Sequence, residues 1–231
     1  MSRKFLSLAL YVEPLLVSIR LTHVQTRVGK LISRHCSDGL KKLTLELGGN
    51  CPFLVFDDAN LTQARDGKSW RQLGQRSRIA NKFVCSALMA LKFRHAGQAC
   101  ITANRVYVQR GVYEKFGNML ADAVGQLKVG HGMDKGTTMG PVTVPAGLDK
   151  VAGQIKDAVE KGATVLTGGE KINKNGGYFF QPTIIQDAAP GMLVAEEETF
   201  GPLLAMIPFD SEEEVVEAAN KTSVSSNIMT V

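Results

Sequence analysis

A chain of 231 residues, 44% hydrophobic and 21% charged, can bury one sizeable core or two small ones. Its formal charge of +5 is local: six basic residues and one acid lie between Arg65 and Lys82, with Trp70 as the one aromatic there, so no nucleic-acid partner is expected. Four cysteines (Cys36, Cys51, Cys85, Cys100) with no CxxC pair exclude a disulfide scaffold and a structural metal site, which leaves reduced thiols in the cytoplasm or a mitochondrial matrix.

Near the N-terminus, Arg3-Lys4 precede the apolar run Phe5–Val12. That run is too short to span a bilayer, and Glu13-Pro14 interrupts it with no small-residue cleavage site, so neither a membrane span nor an export signal is expected. Residues 5–35 are apolar and β-branched in places, and Gly29-Lys30 is expected to open a helix through Leu31-Ile32. Short strands follow at Lys42–Leu47 and Pro52–Phe56. Asn60, with Gln63 at the third helical position, is read as a helix cap, and Asp66-Gly67-Lys68-Ser69 as a turn. Residues 66–84 have no clear apolar period, and the helical pattern resumes at Ser86–Leu91. Beyond Cys100, Arg105–Val108 is a strand. Val112, Phe116, Met119, Leu120, Ala123 and Leu127 then share one face of a helix over 112–127. A glycine-rich loop spans 130–140, a helix runs from Pro145 to Lys161 and stops at Gly162, and Ala163–Thr167 is a strand. Tyr178–Ile185 and Leu203–Phe209 are further strands, and Ser211 with Glu214 forms a capping box for a last helix. Strands alternating with helices predict an α/β fold.

Two segments carry chemistry. In Phe93-Arg94-His95-Ala96-Gly97-Gln98-Ala99-Cys100, one thiol follows a glycine-bearing turn. In Leu45-Glu46-Leu47-Gly48-Gly49-Asn50, one carboxylate ends an apolar segment. A thiolate that attacks a carbonyl needs a base, first to form it and later to activate water for release of the thioester. Leucines on both sides of Glu46 are expected to strip it of solvent and raise its basicity. Taken by type alone, Cys100 is a small buried residue and Glu46 a solvated strand end.

Both segments resemble the signature of the NAD(P)-dependent aldehyde dehydrogenase superfamily. The block from Phe93 to Phe116, with Gly136-Thr-Thr-Met-Gly-Pro141, is most similar to succinate-semialdehyde dehydrogenases. The resemblance covers roughly residues 26–65 and 86–222 and implies the end of a Rossmann-like cofactor domain followed by most of a catalytic domain. On that basis residues 1–25 are an atypical N-terminus, 26–65 a remnant of the NAD-binding domain, 66–85 an insertion, 86–222 the catalytic domain and 223–231 an atypical tail. The resemblance implies Cys100 as nucleophile and Glu46 as deacylation base. Glu198 and Phe200, in Glu198-Thr-Phe-Gly-Pro202, would lie at the nicotinamide ribose, with Gly48 beside the ring. Gly29 closes Thr22–Gly29, which corresponds to the pyrophosphate loop but has Val24 in the place of that loop's first glycine. Arg94 would bind the substrate carboxylate, while Gln98 and Asn104 would order the loop. The implied activity is oxidation of succinate semialdehyde to succinate with NAD or NADP, in 4-aminobutyrate breakdown. No counterpart of the family's oxyanion-hole asparagine or adenosine-ribose lysine is found in these residues. The alternative is an inactive partial chain that associates with aldehyde dehydrogenase subunits as a homo- or hetero-oligomer.

Overall fold

The computed structural model describes residues 18–24, 26–59, 81–174, 176–222 and 229–230. The chain divides into two compact units after Gly49. In the first, strand β1 (Ser18–Val24), helix α1 (Thr26–Ser37) and strand β2 (Lys42–Leu47) form a crossover with the strands parallel and Ser18 opposite Lys42. The helix starts at Thr26, earlier than expected, so Gly29 lies within it rather than at its opening. A Cβ on Gly29 would come within 2.8 Å of the Leu47 side chain and 3.5 Å of that of Leu45. The glycine therefore lets α1 settle directly on β2. Side chains alternate along a strand, so with Leu45 and Leu47 turned to the helix, Glu46 faces the other way and is exposed.

The second unit is built on strands that are apolar at successive positions, the pattern of a sheet covered on both faces. Six strands run in the order β10 (Met229–Thr230), β3 (Cys51–Val55), β4 (Ala103–Gln109), β9 (Leu203–Phe209), β8 (Thr183–Gln186) and β5 (Thr164–Thr167). Every pairing is parallel except β5 with β8. Phe53, Val55, Val106, Val108, Leu204 and Met206 point to one face, where they pack with α2 (Asn81–Lys92) and α3 (Tyr113–Gly125). Leu54, Tyr107, Ala205 and Ile207 point to the other, with α4 (Pro145–Glu160), the short α5 (Leu193–Glu196) and α6 (Glu212–Asn220). Ser211 caps α6, its hydroxyl accepting from the Glu214 amide at 3.3 Å. The single strand expected over 178–185 is two. Pro182 has no amide hydrogen for a ladder, and the chain changes sheets there. β7 (Gly177–Phe180) turns back on β6 (Lys171–Lys174) as a hairpin, and β8 joins the main sheet. The helix expected from Asn60 and most of the 66–85 segment lie outside the described residues.

Arg105 is 2% exposed at the centre of this unit. Its Nε and Nη2 donate to the Asn50 carbonyl at 3.1 and 2.9 Å. Nη2 also donates to Ala219 O at 3.0 Å, and Nη1 to Ala218 O and the Tyr107 hydroxyl, both at 3.1 Å. The cation thus sits on the last carbonyls of α6, where the helix dipole favours it. Replacing Arg105 with Met strands those carbonyls, and the urea unfolding free energy is expected to fall by about 3 kcal/mol. The surface pair Arg110–Asp210, 63% and 65% exposed, provides the control: Arg110→Met should leave the midpoint nearly unchanged.

Candidate active site

The ten-residue connection from α2 to β4 carries the thiol. Helix α2 ends at Lys92, and the chain turns through Ala96 and Gly97, both left-handed at φ 50° and 70°. Gly97 is required twice over: for that φ, and because a Cβ there would collide with the Gly201 carbonyl. Gln98 uses both ends of its amide. Its Nε2 donates to His95 O at 3.1 Å and Pro141 O at 3.2 Å, while its Oε1 accepts from the Thr143 amide and hydroxyl, each at 2.9 Å. Cys100 follows on this fastened turn and is half-buried, whereas Cys36, Cys51 and Cys85 are buried. Burial pushes the Cys85 thiol up to about 11, so it stays protonated at neutral pH.

The loop after α5 faces this turn. Gly201 touches Gly97, and a Cβ on Gly201 would itself run into Val151 of α4, so turn, loop and helix stack at backbone distance. Lys150 Nζ donates to the Glu198 carbonyl at 2.7 Å and pairs with Glu197 at 3.4 Å. The Thr199 hydroxyl donates to Gln154 Oε1 at 3.0 Å in the interior. Glu198 is half-buried, and Phe200 is 37% exposed. Asn50, the last residue of the Leu45–Asn50 segment, donates from Nδ2 to Ala195 O at 2.9 Å, which anchors α5 just upstream of this loop.

Beneath the turn lies a group that the sequence reading passed over. Lys92 is 0% exposed, and its Nζ donates to Asn104 Oδ1 at 2.7 Å. Burial lowers its pKa to about 7, with the Glu198 carboxylate pulling the other way. Its signal was available, since Cys85, Leu88 and Lys92 fall on one helical stripe and a lysine there breaks an apolar face. Asn104 reaches it from a bulge: β3 pairs Cys51 with Ala103 and then Pro52 with Arg105, leaving Asn104 as the extra residue.

Of the residues singled out, Cys100, Arg94, Glu198 and Phe200 belong to the second unit and Glu46, Gly48 and Gly29 to the first. The second unit brings the Cys100 turn and the Glu198–Phe200 loop together through Gly97 and Gly201. Arg94 is exposed at the start of the turn. The burial expected of Glu46 is not provided by β2, because alternation gives the helix-facing positions to the leucines. Among the described residues no cluster of His, Cys, Asp or Glu suits a metal ion, and no helix is long and apolar enough to cross a membrane.

The second unit is thus an α/β unit with a parallel-rich sheet, and the connection that carries Cys100 leads directly into its central strand β4. Residues 18–228 match the aldehyde dehydrogenase family, and the chain belongs to that family. It is 43% identical over 212 residues to "Succinate-semialdehyde dehydrogenase [NADP(+)] 1" of Schizosaccharomyces pombe, covering 92% of this chain and 38% of that protein. It is 45% identical over 197 residues to a 3-sulfolactaldehyde dehydrogenase of Pseudomonas putida, covering 85% of this chain and 36% of the other. The crystal structure of succinate-semialdehyde dehydrogenase from Burkholderia pseudomallei superposes with a TM-score of 0.82 at 39% identity, over 96% of this chain and 41% of that one. The chain therefore spans well under half the length of these relatives.

Two measurements check the site. Iodoacetamide applied to the native chain is expected to modify Cys100 first, with the Cys85 peptide labelled only after denaturation. Lys92 also links stability to pH. Below pH 7 the ammonium is charged in both folded and unfolded chains and its burial penalty is fully present. Between about 7 and the ordinary 10.5 the folded chain has shed a proton that the unfolded chain keeps, so stability rises with pH. Urea midpoints at pH 7 and 9 should show the wild-type chain gaining on Lys92→Met over that interval.

Proposed function

We propose that the chain carries the nucleophile and ribose-binding portions of an NAD(P)-dependent aldehyde dehydrogenase acting on succinate semialdehyde. The observation that carries this reading is the seating of the Cys100 turn on the Glu198–Phe200 loop at Gly97 and Gly201. The donor set there suits a ribose: a half-buried carboxylate whose own backbone is pinned by Lys150, with an aromatic ring two residues on. Glu198 would accept from the ribose hydroxyls, and Phe200 and Gly48 would border the nicotinamide. When bound, the nicotinamide supplies the acceptor for the substrate's hydride.

The chain's own residues supply the rest. Cys100 Sγ, as thiolate, adds to the aldehyde carbon and holds the acyl group as a thioester after oxidation. The family resemblance assigns to Glu46 the removal of a proton from the water that would attack that carbon, after which the C–S bond would break to release the acid and restore the thiolate. Arg94, exposed six residues before the thiol, offers a planar fork for an anionic tail. Relatives named for succinate semialdehyde and for 3-sulfolactaldehyde both handle aldehydes with such a tail, a carboxylate in one and a sulfonate in the other. Four cysteines without a disulfide suit the cytoplasm or a mitochondrial matrix.

Formation of NADH or NADPH by the purified chain with succinate semialdehyde tests the proposal, and Cys100→Ala is expected to abolish it. Arg94→Ala should raise KM for succinate semialdehyde about 10- to 100-fold, with kcat little changed, as loss of a charged hydrogen-bonding pair predicts. No turnover by a cooperatively folded chain whose Cys100 still reacts with iodoacetamide would favour the other reading, a partial chain that acts through association with aldehyde dehydrogenase subunits.

A further inference from the structure

Lysine is almost never fully buried without a partner, and the chemistry above leaves Lys92 unused. Its position in the fold is specific. Lys92 is the last residue of α2, and Asn104 lies just inside β4, so the 2.7 Å bond between them closes the base of the loop that carries Cys100. The Glu198 carboxylate acts on the same ammonium from the loop after α5. Other charged groups on the elements packed against α2 are committed elsewhere. Arg105 on β4 serves Asn50 and the end of α6, and Glu114, Lys115 and Asp122 on α3 are exposed.

We propose that Lys92 is a positioning residue for the reaction, tying the two ends of the Cys100 loop together through Asn104. This rests on the reading of Cys100 as nucleophile and Glu198 as ribose ligand. The link is sensitive to protons. Burial brings the ammonium's pKa to about 7, and Glu198 is the charge that holds it up. Below that pH the bond to Asn104 is charge-assisted, and above it the bond is a weaker neutral one. The thiol carried by the loop therefore reports the change.

The test is the rate of Cys100 alkylation by iodoacetamide in the full chain, followed by mass spectrometry of its peptide from about pH 5.5 to 9. The wild-type profile is expected to show, besides the thiol's own titration, an inflection near 7 of about threefold or more. Lys92→Met should remove it. Glu198→Gln should move it to lower pH, because the carboxylate that raises the lysine is gone. A lysine serving only as scaffold would change the rate by one factor at every pH and leave the inflection in place. The proposal is overturned by a wild-type profile without that inflection, by its survival in Lys92→Met, or by its standing still in Glu198→Gln. Should Lys92→Met fail to unfold cooperatively, Glu198→Gln on its loop decides alone. Aldehyde turnover by the same preparations separates this inference from the reading beneath it. An inflection without turnover keeps the coupling and removes the dehydrogenase reading, and turnover without an inflection does the reverse.

Discussion

A guanidinium cannot lie in a protein interior without acceptors, and Arg105 at 2% exposure has drawn its acceptors from three places. It holds the carbonyl that begins β3, two carbonyls that end α6, and the hydroxyl of its neighbour Tyr107. The point at which the chain enters the second unit is thereby fixed to the central strand. Arg105 follows directly on the bulge at Asn104, and the two polar side chains serve different partners: Arg105 takes Asn50 and α6, and Asn104 takes Lys92. Pro52, opposite that bulge, has no amide hydrogen to lose, so the irregular pairing costs little there.

From that strand the site follows by close approach. Two glycines facing each other leave no room for side chains between the thiol's turn and the carboxylate's loop, and Val151 of α4 backs them. Polar bonds then pin each piece from outside: Gln98 to residues 141–143, Lys150 to the Glu198 carbonyl, Asn50 to α5. The thiol's turn is held by backbone geometry and by the Gln98 side-chain amide.

Much of this was legible from the residues. Strands with a clear apolar run (Lys42–Leu47, Leu203–Phe209) were found at the observed bounds, and Ser211 capped the helix it announced. An amphipathic stripe located α3, and a run ended by Gly162 located α4, each to within a residue or two at each end. Of the misses, Gly29 and Lys92 depend on partners distant in sequence, and the other two on local rules of strand geometry. Gly29 looks like a helix opener until Leu45 and Leu47 are seen against it. Tyr178–Ile185 reads as one strand until Pro182 sends its halves to separate sheets. Glu46 looks desolvated between two leucines, but neighbours along a strand point to opposite sides. Lys92 needed both Asn104 and Glu198, the latter a hundred residues onward, before its burial made sense.

The pairing of β4 with β9 carries a further consequence. Residues 110–202 separate these two neighbours at the middle of the sheet. At ribosomal speeds of 5–20 residues per second, about 5–20 s pass between emergence of the first strand and arrival of its partner. During that interval the edge of β4 that β9 will cover has its amides and carbonyls unanswered, a template for any other extended chain nearby. The central strand that later organises the thiol's surroundings thus carries an open edge while the chain is still being made.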